Sequence, residues 1–345
     1  MSKFENIKVA VAMATYNTNP EMLRQSIESI LNQTHRNLIF YIVNDSGDNL
    51  AQLKDVTDKR VVIIEHNEKL GLAQSMNEII DIAKEKYIFR MDADDVSLPD
   101  RLERQIEYME NNKHIDIASM FCKKIDSGKG FLYTMWTKSN DVKALLLFTN
   151  QLFHPSVVFR NSFLQKNHIK YDPSFLAAQD FDMWVRCSEL TNISIIPRIG
   201  LLYRVHSNSI TTKRFDIQRK FANKVREKNM QKLGFDNSYC KYLEMLCDST
   251  LVDDFKIFSK SIVEIINSNK KFKTYNPDSI FNIISFFYLK TSVKTHNLMN
   301  AIRYDDMTRK LILNPNNLLT LVNKVRYLWN LNWQKAENVY FANQN

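Results

Sequence analysis

The first 120 residues alternate short unbroken apolar runs with stretches in which apolar side chains recur every three or four positions. Residues 8–14 (KVAVAMA) predict a buried strand, and Asn19-Pro20-Glu21 predicts the start of a helix, a cap followed by a first-turn proline. That helix carries Leu23, Ile27, Ile30 and Leu31 on one face. Residues 38–43 (LIFYIV), 61–64 and 87–91 predict three more strands. Between the last two, residues 72–83 form an amphipathic pattern with Leu72, Met76, Ile79, Ile80 and Ala83 at helical spacing. A helix with Leu102, Ile106 and Met109 in register follows Pro99, and a fifth strand lies near residues 115–121. Alternation of this kind predicts an α/β fold with a mostly parallel central sheet and helices on both faces.

Beyond residue 128 the pattern loosens into shorter elements, including a helix over residues 180–190. After Thr212 it reads as helix after helix, with Gly234, Pro277 and Pro315 as the only glycine and prolines. We therefore expect an α/β domain over residues 1–212 and a helical C-terminal region over residues 213–345.

Charge follows the same division. From Lys213 onward, 22 Lys and Arg stand against 12 Asp and Glu, whereas the residues before it hold 25 and 26. A surplus of basic residues confined to the helical part predicts contact with an anionic surface or an acidic partner. No helix-turn-helix, RNP-type or zinc-finger pattern accompanies it, so nucleic acid is not the expected partner. Residues 318–332 (LLTLVNKVRYLWNLN) interleave Leu, Val, Tyr and Trp with Lys324 and Arg326. They suit either a helix lying on anionic lipid or one packed against the protein or a second subunit. No run reaches the roughly 20 apolar residues that span a bilayer, and the opening MSKFENIKVA has no signal-type apolar core. Cys122, Cys187, Cys240 and Cys247 are scattered without a C-x-x-C pair. These features together predict a cytoplasmic protein with free thiols, placed at most peripherally on a membrane.

The chemistry should lie at the carboxyl ends of the strands, where open α/β sheets bind ligands. Polar residues gather at each of these ends: Thr15-Tyr16-Asn17, Asn44-Asp45-Ser46-Gly47, the run from His66 to Gly71, and Asp92-Ala93-Asp94-Asp95. Only six glycines exist and none precedes Gly47, which excludes both the dinucleotide-binding and the P-loop glycine patterns at the first strand–helix turn. A bound phosphate then needs another counter-charge. Three acids in four residues at 92–95 supply the ligands for Mg²⁺ or Mn²⁺, which would relieve their mutual repulsion and bridge to a diphosphate. The competing reading is a solvated acidic loop capping the helix after Pro99.

With these residues assembled, the chain resembles the family 2 glycosyltransferases of the Rossmann-like GT-A fold. The matching blocks are VAMATYN (11–17), SIESILNQ (26–33), IVNDSG (42–47), Asn67-x3-Gly71-Leu72-x4-Asn77, Asp92 to Asp95 with Pro99-Asp100-Arg101, QDFDMW (179–184) and YRVH (203–206). They cover roughly residues 7–210 in family order. More loosely, the basic helix ending at Lys232-Leu233-Gly234-Phe235 is similar to bacterial N-acetylglucosaminyltransferases of lipooligosaccharide assembly.

The resemblance implies a site, residue by residue. Thr15, Tyr16 and Asn17 line the nucleoside pocket, Asp45 bonds the uracil, and Asn67, Gly71, Asn77, Arg90 and Ala93 belong to the same nucleotide-binding set. Asp92 faces the ribose or the metal. Asp94 holds the metal, with Asp95 able to share that role and His206 completing the shell. Asp180 is the base, while His154, Gln179 and Trp184 lie on the sugar and acceptor side. The implied reaction is inverting transfer from a UDP-sugar, narrowly UDP-GlcNAc, to a hydroxyl of a bacterial lipooligosaccharide, O-antigen or capsule glycan. UDP-galactose, UDP-GalNAc and a dTDP-sugar are the alternative donors, and a silent nucleotide-sugar binder or assembly scaffold is the alternative from another class. Two positions depart from the family: Asn44-Asp45 replaces a usual acidic pair, and Gln179-Asp180 replaces Glu-Asp. The first changes one contact on the nucleoside side, and the second removes a like charge from beside the base.

Overall fold

The computed structural model describes residues 3–46, 53, 55–126, 130–205, 215–317 and 320. Contacts divide the chain into two compact units: Met1–Thr134 with Gln151–Ala222, and Met135–Asn150 with Asn223–Asn345. The division is discontinuous in sequence, unlike the single cut at 212 expected from composition.

The first unit is built on a nine-stranded mixed sheet in the order β3-β2-β1-β4-β8-β6-β9-β5, with β7 paired to β6. β1 (Val9–Thr15), β2 (Leu38–Asn44), β3 (Val61–Glu65) and β4 (Tyr87–Asp92) form its parallel half. β1 and β4 are almost wholly buried, as strands covered on both faces must be. The other half contains β5 (Val96–Ser97), β6 (Ile115–Asp126), β7 (Phe131–Leu132), β8 (Val158–Arg160) and β9 (Asn192–Val205). There β8 runs antiparallel to both β4 and β6, while β9 runs parallel to β6. This mixture is hard to read locally. β9 spans 14 residues, yet Pro197, Arg198 and Gly200 interrupt its apolar pattern and its register against β6 shifts.

Helices α1 (Pro20–Leu31), α2 (Leu72–Ile82) and α3 (Arg101–Asn111) connect the early strands. Asn19 caps α1 by accepting from the amides of Glu21 and Met22, with Pro20 in the first turn. Leu23, Ile27 and Ile30 of α1 and Leu102, Ile106 and Met109 of α3 share a core with Val9, Val11, Met13, Phe40, Ile42, Phe89 and Met91. Placing the strands' carboxyl ends side by side brings the four polar strand ends to one edge.

The second unit contains α4 (Ser139–Leu145), the later part of α7 (Phe215–Lys232), α8 (Cys240–Cys247), α9 (Phe255–Phe272), α10 (Pro277–Lys294), α11 (Leu298–Tyr304) and α12 (Asp306–Ile312). α5 (Asn161–Lys166) and α6 (Gln179–Cys187) belong to the first unit. Leu145, Leu147 and Phe148 share a core with Leu243, Phe258, Ile262, Ile283 and Tyr288, which explains why residues 135–150 leave the α/β unit. Gly234 ends α7 at φ 77, and a Cβ there would meet the Phe272 ring at 2.8 Å. Among the described residues no helix is long and apolar enough to cross a membrane. Residues 318–332, expected on lipid or packed against protein, lie, apart from Thr320, outside the described residues.

Candidate active site

The acidic loop after β4 is gripped from two directions. From α1, Ser26 Oγ donates to the Asp92 carbonyl oxygen at 2.8 Å, and Ser29 Oγ accepts from the Ser97 amide at 3.0 Å. Gln33 donates to the Leu98 carbonyl at 2.7 Å and accepts from the Leu102 amide at 3.1 Å. From β9, the Arg204 amide donates to Asp95 Oδ1 at 2.8 Å and its Nε to the Asp94 carbonyl at 2.6 Å. The polar side of α1, conspicuous in the sequence as SIESILNQ, is thus the bracket of this loop.

So held, Asp92, Asp94 and Asp95 can each present a carboxylate oxygen within 4.8 Å of the others. Asp95 is buried, and among the described residues its Oδ2 has no hydrogen-bond partner. Burial first, then repulsion from Asp92 and Asp94, pushes its carboxyl well above the usual range. Asp92 is pushed up by burial too, against the pull of its ion pair with Arg90. Converging hard oxygens, one of them buried and without a donor among the described residues, fit a small divalent cation.

On the side of β1 to β3, Asp45 accepts from His66 Nδ1 at 2.9 Å, from the Leu70 amide at 2.7 Å and from the Gly71 amide at 2.8 Å. Its carboxylate therefore shapes the turn that opens α2. Gly71 sits at φ 90, ψ 159, a backbone position that suits glycine alone. Asn17 is left-handed at φ 47, and its amide donates to Ser46 Oγ at 3.0 Å, tying the ends of β1 and β2. Thr15 is buried, its hydroxyl 2.9 Å from that of Thr18. Tyr16 is exposed, with Lys69 Nζ 3.7 Å from its ring centre. Asn67 is exposed on the same turn, and Ala93 is buried in the core.

On the other side, Ala178 at φ 55 turns the chain into α6, which presents Gln179 and Asp180 in its first turn, both partly exposed. Tyr171 is buried on this side, and burial first, with the Asp180 and Asp92 charges adding to it against the opposing pull of Arg90, raises the pKa of its hydroxyl. His154 Nε2 lies 2.8 Å from that hydroxyl, and burial, aided by the Arg90 charge, keeps the imidazole neutral. Asn77 is bonded both ways to the Tyr171 backbone, at 2.8 and 2.9 Å, and so fixes the segment leading to Asp180. Arg90 is buried, with Nε and Nη1 lacking partners among the described residues.

One expectation needs correcting. Trp184 is fully buried, packed on Phe159 and edge-on to His154, so it has no ring face for a sugar. The spacing of one helical turn from Asp180 is real, but α6 turns that position into the core. His206 lies outside the described residues. Arg204, Tyr171 and the bracing by Ser26 and Gln33 were not expected from the sequence, because each acts on a partner far along the chain.

The sequence profile described as Glycosyl transferase family 2 matches residues 10–170, and the chain belongs to that family. An uncharacterized glycosyltransferase of Methanocaldococcus jannaschii is 36% identical over 206 residues, 57% of this chain and 70% of that protein. The O-antigen biosynthesis glycosyltransferase WbnJ of Escherichia coli is 32% identical over 213 residues, 59% of this chain and 81% of that one. Among solved structures, Staphylococcus aureus TarS in complex with UDP aligns with TM-score 0.53 at 14% identity, covering 88% of this chain and 91% of that chain. The UDP-GlcNAc complex of the same protein aligns with TM-score 0.54 at 12% identity over the same shares. The likeness to TarS is one of fold.

Proposed function

We propose that the protein is an inverting, metal-dependent glycosyltransferase that moves a sugar from a UDP-sugar, narrowly UDP-GlcNAc, to a hydroxyl of a bacterial surface glycan. The observation that carries this reading is the triad Asp92, Asp94 and Asp95, in which Asp95 Oδ2 is buried and has no hydrogen-bond partner among the described residues. A divalent cation bound there would act as a Lewis acid on the diphosphate leaving group. Asp94 and Asp95 would hold it, and Asp92 would face the ribose or the metal. Tyr16 offers an exposed aromatic face for the base, and Asp45 keeps the turn beside it in shape. Asp180 takes the proton of the acceptor hydroxyl as its oxygen bonds to the anomeric carbon and UDP departs from the opposite face. One displacement inverts the anomeric centre. A donor of the UDP class is supported by the fold shared with TarS, whose complexes contain UDP and UDP-GlcNAc. A glycan acceptor is supported by WbnJ, an O-antigen biosynthesis enzyme.

A panel of UDP- and dTDP-sugars, scored by calorimetry and by metal-dependent hydrolysis, tests this reading. Preferential, Mn²⁺- or Mg²⁺-dependent use of one UDP-sugar is the expected result. Equal affinity in EDTA would remove the metal from the scheme, and preference for a dTDP-sugar would remove UDP.

A further inference from the structure

His66, at the end of β3, has both ring nitrogens occupied: Nδ1 lies 2.9 Å from Asp45 Oδ1 and Nε2 lies 2.7 Å from Glu78 Oε2 on α2. A carboxylate at neutral pH only accepts hydrogen bonds, and a neutral imidazole has one N–H to give. Both contacts coexist only when both nitrogens carry protons. The geometry itself therefore specifies an imidazolium. The neighbouring acid on β3, Glu65, is turned to Asn44 Nδ2 at 2.6 Å, which leaves Asp45 and Glu78 as the carboxylates bonded to the ring. Burial pulls His66 toward neutrality, but the hydrogen bonds it donates to Asp45 and Glu78 outweigh it and raise its pKa above the ordinary imidazole value.

The other contacts of Asp45 give this pair its consequence. The same carboxylate orders the Leu70 and Gly71 amides, and that turn carries Lys69 over the exposed Tyr16 ring. We propose that His66 is a positioning residue for the nucleotide: as an imidazolium clamped between Asp45 and Glu78, it ties α2 to the end of β2 and fixes the turn beside the base-binding face. This rests on the reading of that face as the UDP site.

The sign follows from the contacts. Because the folded state favours the charged ring, the clamp is complete below the ordinary imidazole pKa of about 6.5 and opens as pH rises through the higher folded value. The neutral ring must release either Asp45 or Glu78.

Calorimetric titration of UDP at fixed Mn²⁺, from about pH 6.5 to about pH 8.5, reads the clamp in parent, H66N and E78Q. The parent should lose affinity by about ten-fold with rising pH, the cost of one charge-assisted bond. E78Q should bind within about two-fold of the parent at the low end and stay level. There the glutamine NH₂ donates to the neutral Nε2 while Nδ1–H still serves Asp45. H66N should be weak at both ends while its circular dichroism matches the parent. No binding by the parent at any pH would sink the UDP reading and this role with it. A level parent profile, or an unchanged slope in E78Q, would overturn the clamp alone.

Discussion

Arg204 reaches Asp94 through the main chain: its Nε donates to the Asp94 carbonyl oxygen at 2.6 Å. The same side chain bonds Asp126 at 2.5 Å and Gln25 at 2.8 Å, and its amide holds Asp95 Oδ1. One residue of β9 thereby sets the backbone and one carboxylate of the triad. A guanidinium has the fork to bond three directions at once, and an ammonium on a flexible stem does not. We expect Arg204→Lys to fold and to weaken Mn²⁺-dependent UDP binding by about ten-fold, one charge-assisted bond or more. If lysine restored full affinity, positive charge alone would be the contribution and the bracing account would fail.

Asp180→Asn separates chemistry from binding. Asparagine keeps the size and the place in the first turn of α6 but cannot take a proton. Turnover should fall by about 10²- to 10⁴-fold, the usual contribution of a positioned base, with UDP affinity unchanged within about two-fold. Retained turnover in the variant would reassign the base.

The parts of this architecture that the chain announces are those made of continuous local pattern. The apolar runs of β1, β2 and β4 mark buried strands, and Asn19-Pro20 marks the start of α1. The acidic loop was legible because charge repulsion within four residues demands an explanation. What stayed hidden depends on partners far along the chain. Arg204 lies 110 residues from Asp94, and Asn77 lies 94 from the Tyr171 backbone it holds. Trp184 belongs to the core, and a block such as QDFDMW does not show which face α6 buries.

Glu110 gives the fold an acid-labile fastening. Burial would raise its carboxyl, but Lys113, Lys86 and Tyr87 all donate to it and hold it at about 2, against the usual 4.5. A depressed folded pKa stabilises fully above the unfolded value and is lost as pH falls from there toward about 2. Urea melts should show parent stability falling more steeply between about pH 5 and about pH 3 than that of Glu110→Gln. Parallel curves would mean that the unfolded state holds these contacts too.

Gly71→Ala isolates backbone strain. At φ 90 no neighbouring atom of the described residues lies within 4 Å of an added Cβ, so the substitution meets no clash among them. The cost should be that of a disfavoured backbone region, about 1–3 kcal/mol, and it falls on the amide that Asp45 holds at 2.8 Å. A lowered melting temperature together with weaker UDP binding is expected. Weaker melting with unchanged UDP affinity would show that the turn does not shape the nucleotide pocket.

Asp95 offers the sharpest test of the metal. In the fold its charged form is disfavoured by burial first and then by Asp92 and Asp94, so an ionised Asp95 without a cation costs stability at neutral pH. Asn at this position would keep an oxygen for the Arg204 amide while removing the charge. Asp95→Asn should therefore melt at or above the parent temperature in EDTA, yet gain little when Mn²⁺ and UDP are added. Asp94→Ala should lose the same Mn²⁺ response, but without the gain in EDTA, because Asp94 is partly exposed and relieves less burial. The two variants thus differ in the absence of metal and converge in its presence. A normal Mn²⁺ response in both would take the ion away from this loop.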